Sequence, residues 1–443
     1  AVKMNLEWVL DGKNGVGFRP QISAITSVTV IDPYTVNLNL DRVHSAIITN
    51  LGLRSTYAFS PTNFKAKGRD ALNANPVGTG PFMVKEYVPG SHILFEKNPN
   101  YWVKGLPYLD AWRHEVIVDD RVRAGALQSG QLDFAGGIPA GAKDALAAAR
   151  AIPGIVQFNT MGGPSYDHYN ANRAPFNDKR VRIALQMAMD RQAWNQAVNN
   201  GEGIPYTGGM HVPGHAATFS VPEAQFPYPY NPTKAKALIE EYAKEKGLTL
   251  PLSTVGAWEP TAEQLAKGAY PLKEEPIIMY ATSGSTSVKR SAISKAYYEA
   301  IGFKIEVKLG GGDEEKHTFV WKDVGFSLRG VGTRPHPSGS MDSYMGYGGY
   351  WNAGGWSTTP EQLEVNRLLE AAANEFDFVK QNDYYKQAQK IWMEEALGGV
   401  KTAHTKGSTF AQPWVKMDRD INKYLVFASD STAHFYSVWL DNK

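Results

Sequence analysis

His211 and His215 stand four residues apart, the spacing at which two imidazoles on one helix face could share a metal ion. Pro213 and Gly214 lie between them and forbid that helix, so the pair reads as a polar loop. Adjacent carboxylates at Glu240-Glu241, Glu274-Glu275, Glu314-Glu315 and Glu394-Glu395 are the material of acid–base catalysis. Neighbours in sequence point in different directions, whereas a catalytic dyad needs two carboxyls facing one bond, so these pairs read as solvated faces. Asp11-Gly12-Lys13-Asn14-Gly15 starts like a calcium loop, but it has one carboxylate and no closing Glu. The patterns HExxH, GxSxG and GxxxxGK[ST] do not occur. Gly78-Thr79-Gly80 runs into Pro81-Phe82 rather than into a helix with a third glycine, which excludes a dinucleotide loop. The chemistry on offer is therefore binding, with no metal and no cofactor expected and no catalytic residue to name.

The binding groups are aromatic. Tyr344, Tyr347, Tyr350, Trp351 and Trp356 fall within 13 residues and are interleaved with five glycines. So many glycines argue against a helix or strand, and the segment reads as a loop that presents flat rings. Such rings suit stacking on a sugar face or a peptide side chain at low cost in rotamer entropy. The alternative is a loop that packs its rings against its own domain. A smaller cluster, Tyr166, His168 and Tyr169, precedes Asn177, with local packing as its alternative.

The elements that must hold these rings follow from periodicity. Val28, Val30, Val36, Leu38 and Leu40 alternate with polar residues over Ser27 to Leu40, and Asp32-Pro33 supplies the turn of a hairpin. Phe82 to Tyr87 and His92 to Glu96 read as a strand pair across Pro89-Gly90, and Asp119 to Ser129 as a short helix ended by Gly130. Asn177 to Asn199 carries one apolar stripe (Val181, Leu185, Ala188, Met189, Val198) and reads as a single helix. Asn231-Pro232 opens a helix that stops at Gly247. A strand at Ile277 to Ala281, a helix at Ser287 to Ile301 and a strand alternating from Phe303 to Leu309 suggest a parallel pair with a right-handed crossover. Helices are expected over Pro360 to Ala373 and Asp383 to Leu397, and a strand-like tail over Tyr424 to Leu440. Gly201 to Tyr230 and Arg334 to Thr359 read as irregular. The class is α/β or α+β.

Composition agrees with a binder. The 443 residues carry 46 basic and 44 acidic side chains, no run of five like charges and a net charge of +2, so the footprint of a nucleic-acid partner is absent. The length favours two or three domains. Apolar stretches such as Ala145 to Ala149 fall far short of the roughly 18 residues of a membrane span. With no cysteine there is no disulfide and no thiol chemistry, although this does not fix the compartment. Phe, Tyr and Trp make up 12% of the chain, and Tyr and Trp are types that line binding walls.

Five stretches carry a family resemblance. Asn75-Pro76-Val77-Gly78-Thr79-Gly80-Pro81-Phe82, followed by Phe95-Glu96-Lys97-Asn98-Pro99-Asn100-Tyr101-Trp102, resembles the signature of family 5 extracellular solute-binding proteins. These are the oligopeptide, dipeptide and nickel type receptors of ABC importers. Leu127 to Asp133 is similar to their "GelD" element, Ala174 to Arg182 with Asp190-Arg191 to their "PFnDxRVRxAl…DR" helix, and Tyr230-Asn231-Pro232 with Ala235, Ala237 and Leu238 to their "ydpekAkxLL". The stretches follow the family's order from Asn75 to Leu238.

The resemblance implies a two-lobed periplasmic-binding-protein fold, type II and cluster C-like, with an extra small domain. Its implied division is 1–78 for the remainder of the small domain, 79–190 and 421–443 for lobe I, and 191–420 for lobe II. It implies a monomeric receptor, periplasmic or at the cell surface, that captures a peptide-like or oligosaccharide solute and passes it to ABC permease transmembrane subunits. Val2 to Trp8 resembles the family's "DVkfsfer", which other members precede with a sizeable segment, so a lipid-anchor cysteine would lie ahead of this chain. In peptide-binding members an aspartate in a "W-x-x-D-Y" stretch pairs with the peptide amino terminus. Leu328 to Pro337 matches that stretch without Asp or Trp, and Arg334 falls near the acid's place. A cation there repels an ammonium and attracts a carboxylate or phosphate. Aromatics just before "PFnD" reach the cleft in the family, which maps onto Tyr166 and Tyr169. The expected ligand contacts are thus Tyr166, Tyr169, Arg334, Tyr350, Trp351 and Trp356. Two other readings remain: a carbohydrate-active hydrolase with an aromatic-lined groove, for which two facing carboxylates would be required, and a chaperone-like scaffold.

Overall fold

The structure, a computed structural model, describes all residues except 12–18, 53–55, 207, 209, 211–216, 218, 263–264, 266–270, 283, 311–324, 331–335, 347–351, 353–358, 418–436 and 442–443. The chain divides into two units. Unit 1 holds Ala1–Asp41, Ile48–Thr160 and Gly407–Lys443, and unit 2 holds Arg42–Ile47 and Met161–Lys406.

In unit 1 the alternation of valines produces the expected hairpin. Strands Ile25–Asp32 and Thr35–Leu40 pair antiparallel with Val28 opposite Leu38 and Val30 opposite Val36. The Asp32 carboxylate accepts from the Tyr34 backbone N–H at 2.7 Å and fixes the turn. Strands Phe82–Val88 and His92–Lys97 also pair as expected, and a third strand, Ala111–Glu115, joins them. The sequence pattern did not point to that third strand, which Phe95 and Trp112 anchor by stacking at 4.3 Å. Asn98 links the first two family stretches: its amide donates to the Gly80 carbonyl at 2.7 Å and its backbone N–H to the Pro81 carbonyl at 2.9 Å. Helix Asp120–Gln128 starts where Asp119 accepts from the Arg121 and Val122 N–H groups. It shares a core with helix Lys143–Arg150 through Leu127, Ile138, Leu146 and Phe410.

In unit 2 the expected single helix over Asn177 to Asn199 is two. Lys179–Ala188 ends where Met189 turns extended, and Asp190 caps Arg191–Asn199 by accepting from Ala193 N–H at 2.9 Å. The apolar stripe still faces one core, because Val181, Leu185, Ala188, Met189, Trp194 and Val198 are all buried in it. The crossover is present: strands Ile278–Ala281 and Glu306–Leu309 are parallel, joined through helix Ser285–Ala300. Strand Phe326–Gly330 lies parallel on the other side of Ile278–Ala281 and antiparallel to the end of strand Val156–His168. That strand in turn neighbours Val400–Ala411. Helices Pro360–Asn374 and Phe378–Glu394 pack as a pair. The second begins five residues before Asp383 because Asp377 accepts from the Val379 and Lys380 N–H groups.

Two expectations need correction or restriction. Arg334 to Thr359 is not wholly irregular, since Ser338–Tyr344 forms a helix whose residues are almost all buried. Burial in a core selects helix there despite Gly339, and Tyr344 ends it rather than standing in a loop. Of the strand-like tail, Val438–Leu440 is a strand paired with Val415–Met417, and 418–436 lie outside the described residues. His211 and His215 also lie outside them. The mixed α/β character is as expected.

Candidate ligand-binding site

Strand Val156–His168 places the first aromatic cluster. Period 2 sends Tyr166 and His168 to one face of the sheet and Asp167 to the other. Tyr166 and His168 stack at 5.0 Å with an interplanar angle of 14°. Both are fully buried, and the Tyr166 hydroxyl has no hydrogen-bond partner among the described residues. Burial pushes its phenol well above the ordinary range. His168 Nδ1 lies 3.0 Å from the Gly398 carbonyl, and burial lowers the imidazole to about 3, so it is neutral. On the other face, the Tyr298 hydroxyl donates to Asp167 Oδ2 at 2.7 Å. Burial raises the Asp167 carboxyl, opposed by Arg290.

The Tyr166 face is completed by Trp392, Tyr206 and Lys401. Trp392 lies 6.1 Å from the Tyr166 ring, and the Lys401 ammonium stands over three rings: Trp392 at 4.5 Å, Tyr166 at 5.3 Å and Tyr206 at 5.6 Å. Two glycines make the close packing possible. A Cβ on Gly398, at φ +76°, would fall 2.2 Å from the Trp392 ring, and one on Gly399 would fall 2.5 Å from the Asp167 carbonyl oxygen. The sequence analysis did not single out Lys401, because no local pattern marks that lysine as buried.

Tyr169 is placed apart from this layer. It stacks on Phe176 at 5.3 Å, and its hydroxyl donates to the Ala396 carbonyl. The structure therefore puts both expected tyrosines in the buried interior of unit 2. Arg334, Tyr350, Trp351 and Trp356 lie outside the described residues. The "PFnDxRVR" stretch is held by its own charges: the Asp178 carboxylate caps its helix and pairs with Arg180, which also reaches Glu241 and Glu245. Arg182 donates to the carbonyls of Phe176, Asn177 and Glu395.

Unit 1 has a cavity of about 470 Å³ walled by Trp8, Phe59 and Phe64, with the Arg69 guanidinium 5.1 Å from the Trp8 ring. Neither Tyr166 nor Tyr169 lines it. Among the described residues no group of three or more His, Asp or Glu is placed to hold a metal, and no helix is long and apolar enough to cross a membrane.

The model of "Bacterial extracellular solute-binding proteins, family 5 Middle" matches residues 1–352. The chain belongs to that family. Its members are extracellular solute-binding proteins. Among curated family 5 relatives, the glutathione-binding protein GsiB of Salmonella paratyphi A is 31% identical over 252 residues, covering 57% of this chain and 48% of the relative. The GsiB of Shigella flexneri is 31% identical over 256 residues, with the same coverage. The chain thus spans about half the length of the curated relatives it matches. Among solved structures, the binding protein AgaA of A. tumefaciens R10, in complex with agropinic acid, superposes with a TM-score of 0.81 at 24% identity, covering 100% of this chain and 83% of AgaA. The periplasmic binding protein DppA of Helicobacter pylori, in complex with the peptide STSA, gives a TM-score of 0.80 at 19% identity, covering 99% and 81%. The fold is that of the family 5 periplasmic binding proteins, as the five sequence stretches implied.

Proposed function

We propose that this chain is the solute-binding receptor of an ABC importer, held outside the cytoplasm, which captures a small solute and delivers it to permease transmembrane subunits. The family match over residues 1–352 carries this reading. The implied lobe boundaries, 79–190 with 421–443 against 191–420, belong to the same proposal, as does a monomeric state. The solute is peptide-like or an oligosaccharide, contacted by Tyr166, Tyr169, Arg334, Tyr350, Trp351 and Trp356. Relatives whose names specify glutathione, and solved neighbours holding agropinic acid or a peptide, favour a peptide-like or amino-acid-derived ligand.

One observation favours an anionic solute. By the family resemblance Arg334 falls near the place of the acid in peptide-binding members, so a carboxylate is the group this site would attract. Thermal unfolding in the presence of glutathione, agropinic acid, short peptides and oligosaccharides tests the proposal. A true ligand at a hundredfold excess over Kd adds about 2.7 kcal/mol of stability. Stabilisation by no class would overturn the receptor reading, and stabilisation by free-amino peptides alone would overturn the anionic one. With the solute so found, Trp351→Ala and Trp356→Ala should each weaken binding by about 1–3 kcal/mol in calorimetry. Unchanged affinity in both would make the aromatic run a packing element.

A further inference from the structure

Lys401 is 1% exposed, and its Nζ makes one hydrogen bond among the described residues, to the Leu397 carbonyl at 3.1 Å. An ammonium buried this deeply ordinarily has a carboxylate beside it, since moving a charge out of water is costly. Among the described residues, the groups facing it carry no negative charge. Strand Val156–His168 presents Tyr166 and neutral His168, while the Asp167 side chain turns to the opposite face. Helix Arg191–Asn199 presents Arg191, a second buried cation, whose Nε donates to the Lys401 carbonyl at 2.9 Å. Helix Phe378–Glu394 presents the Trp392 ring, and Tyr206 closes the remaining side. Tyr344, from helix Ser338–Tyr344, is buried in the same core as Tyr166 and Trp392. Next along its own strand, the His404 imidazole is lowered to about 4 by burial and is neutral.

We propose that Lys401 is a proton-linked switch in unit 2: an amine stored without a counter-charge inside a cage of three aromatic rings, whose loss of a proton tightens the unit. The rings offset part of the cost of the charge but cannot replace a carboxylate. Burial, with the charge of Arg191 added, lowers Lys401 from 10.5 to about 7. The unfolded chain holds that proton up to the ordinary lysine range, while the folded chain releases it near neutrality. Between those limits the unfolded state binds more protons, so stability rises with pH. The unfolding constant should fall by up to about tenfold per pH unit across the window. The other shifted groups leave this window open. His168 and His404 titrate well below it, and Asp342, raised to about 7 by burial, lies at its lower edge. Burial displaces Tyr166, Tyr169, Tyr206, Tyr298 and Tyr385 upward, so the unfolded chain loses their protons first as pH nears 10 and the lysine's effect is read below about pH 9, while Arg191 is lowered only to about 10.

The test is urea unfolding between about pH 7.5 and 8.5, below the range in which the unfolded chain's tyrosines ionise, with amide exchange of residues 400–406 as the reporter. The wild-type chain should gain stability steadily over this range, and Lys401→Met should flatten the slope and be the more stable form at pH 7.5. A flat wild-type profile, or a Lys401→Met profile as steep as wild type, overturns the proposal. If Lys401→Met does not fold, a carbon-13 titration of the lysine side chains of the wild-type protein decides instead. One lysine with a midpoint far below the rest supports the switch, and all lysines titrating together in the ordinary range overturns it.

Discussion

Tyr166 is a ring in the right layer with its hydroxyl in the wrong one. The ring contacts His168 and Trp392, while the hydroxyl is buried without a partner among the described residues. An unsatisfied buried hydroxyl is a cost, and replacing it with a shape-matched apolar side chain removes that cost. Tyr166→Phe should therefore raise stability by on the order of 1 kcal/mol in urea unfolding, whereas Tyr166→Ala should lose about 3–5 kcal/mol through the cavity it leaves. If solute meets this residue by stacking, Phe should keep the affinity that calorimetry measures for wild type. A Phe variant that is less stable than wild type would show that the hydroxyl has a partner in solution. The sequence made Tyr166 visible because aromatics next to a family stretch are conspicuous. It hid Lys401, because a lysine in a strand buried on both faces is indistinguishable from a solvent-facing one until the neighbouring strands and helices are placed. No local pattern encodes three rings that converge from positions 166, 206 and 392.

At the scale of elements, local signals were read well where one residue decides the boundary. Asn231-Pro232 and Gly247 bracket a helix as expected, with Asn231 accepting from Lys234 N–H at 2.9 Å and Gly247 in the left-handed region. The error at Asn177 to Asn199 has the same origin in reverse. Two helices that share one buried face keep the apolar period across their junction, so the stripe hides the break at Met189. Asp190 was the available signal, being an acidic N-cap in the middle of an apolar period. Removing it should show its weight. Asp190→Ala should cost about 1 kcal/mol, with Asp190→Asn close to wild type, as read from chemical denaturation. Equal stability of Ala and wild type would mean that tertiary packing alone sets the break.

Across the whole molecule, the chain leaves unit 1 at 41/42 and 160/161 and returns at 47/48 and 406/407, and two of these passages fall inside the strands Val156–His168 and Val400–Ala411. Such long-range connectivity leaves no trace in a local window. The division implied by the family resemblance breaks the chain elsewhere, at 78/79, 190/191 and 420/421. One consequence of the division concerns acid. His44, His168 and His404 all belong to unit 2, and burial is the first cause that lowers each of them. A histidine with a depressed folded pKa contributes stability above its unfolded value, near 6.5, and loses that contribution as pH falls toward the folded value. For His404 the window runs from 6.5 down to about 4. In that range the unfolded chain takes up a proton that the folded unit refuses, and the unfolding constant rises by up to about tenfold per pH unit for that one site. Asp342 acts against it, because a carboxyl raised to about 7 holds its proton in the fold and favours the folded unit as pH drops. The two effects separate by substitution. His404→Asn should make the acid limb of unit 2 shallower by one proton, and Asp342→Asn should make it steeper by one. Amide exchange of unit 2 peptides between pH 6.5 and 4.5 reads both slopes in the same chain, and a His404→Asn slope identical to wild type would place that imidazole's proton uptake in the folded state.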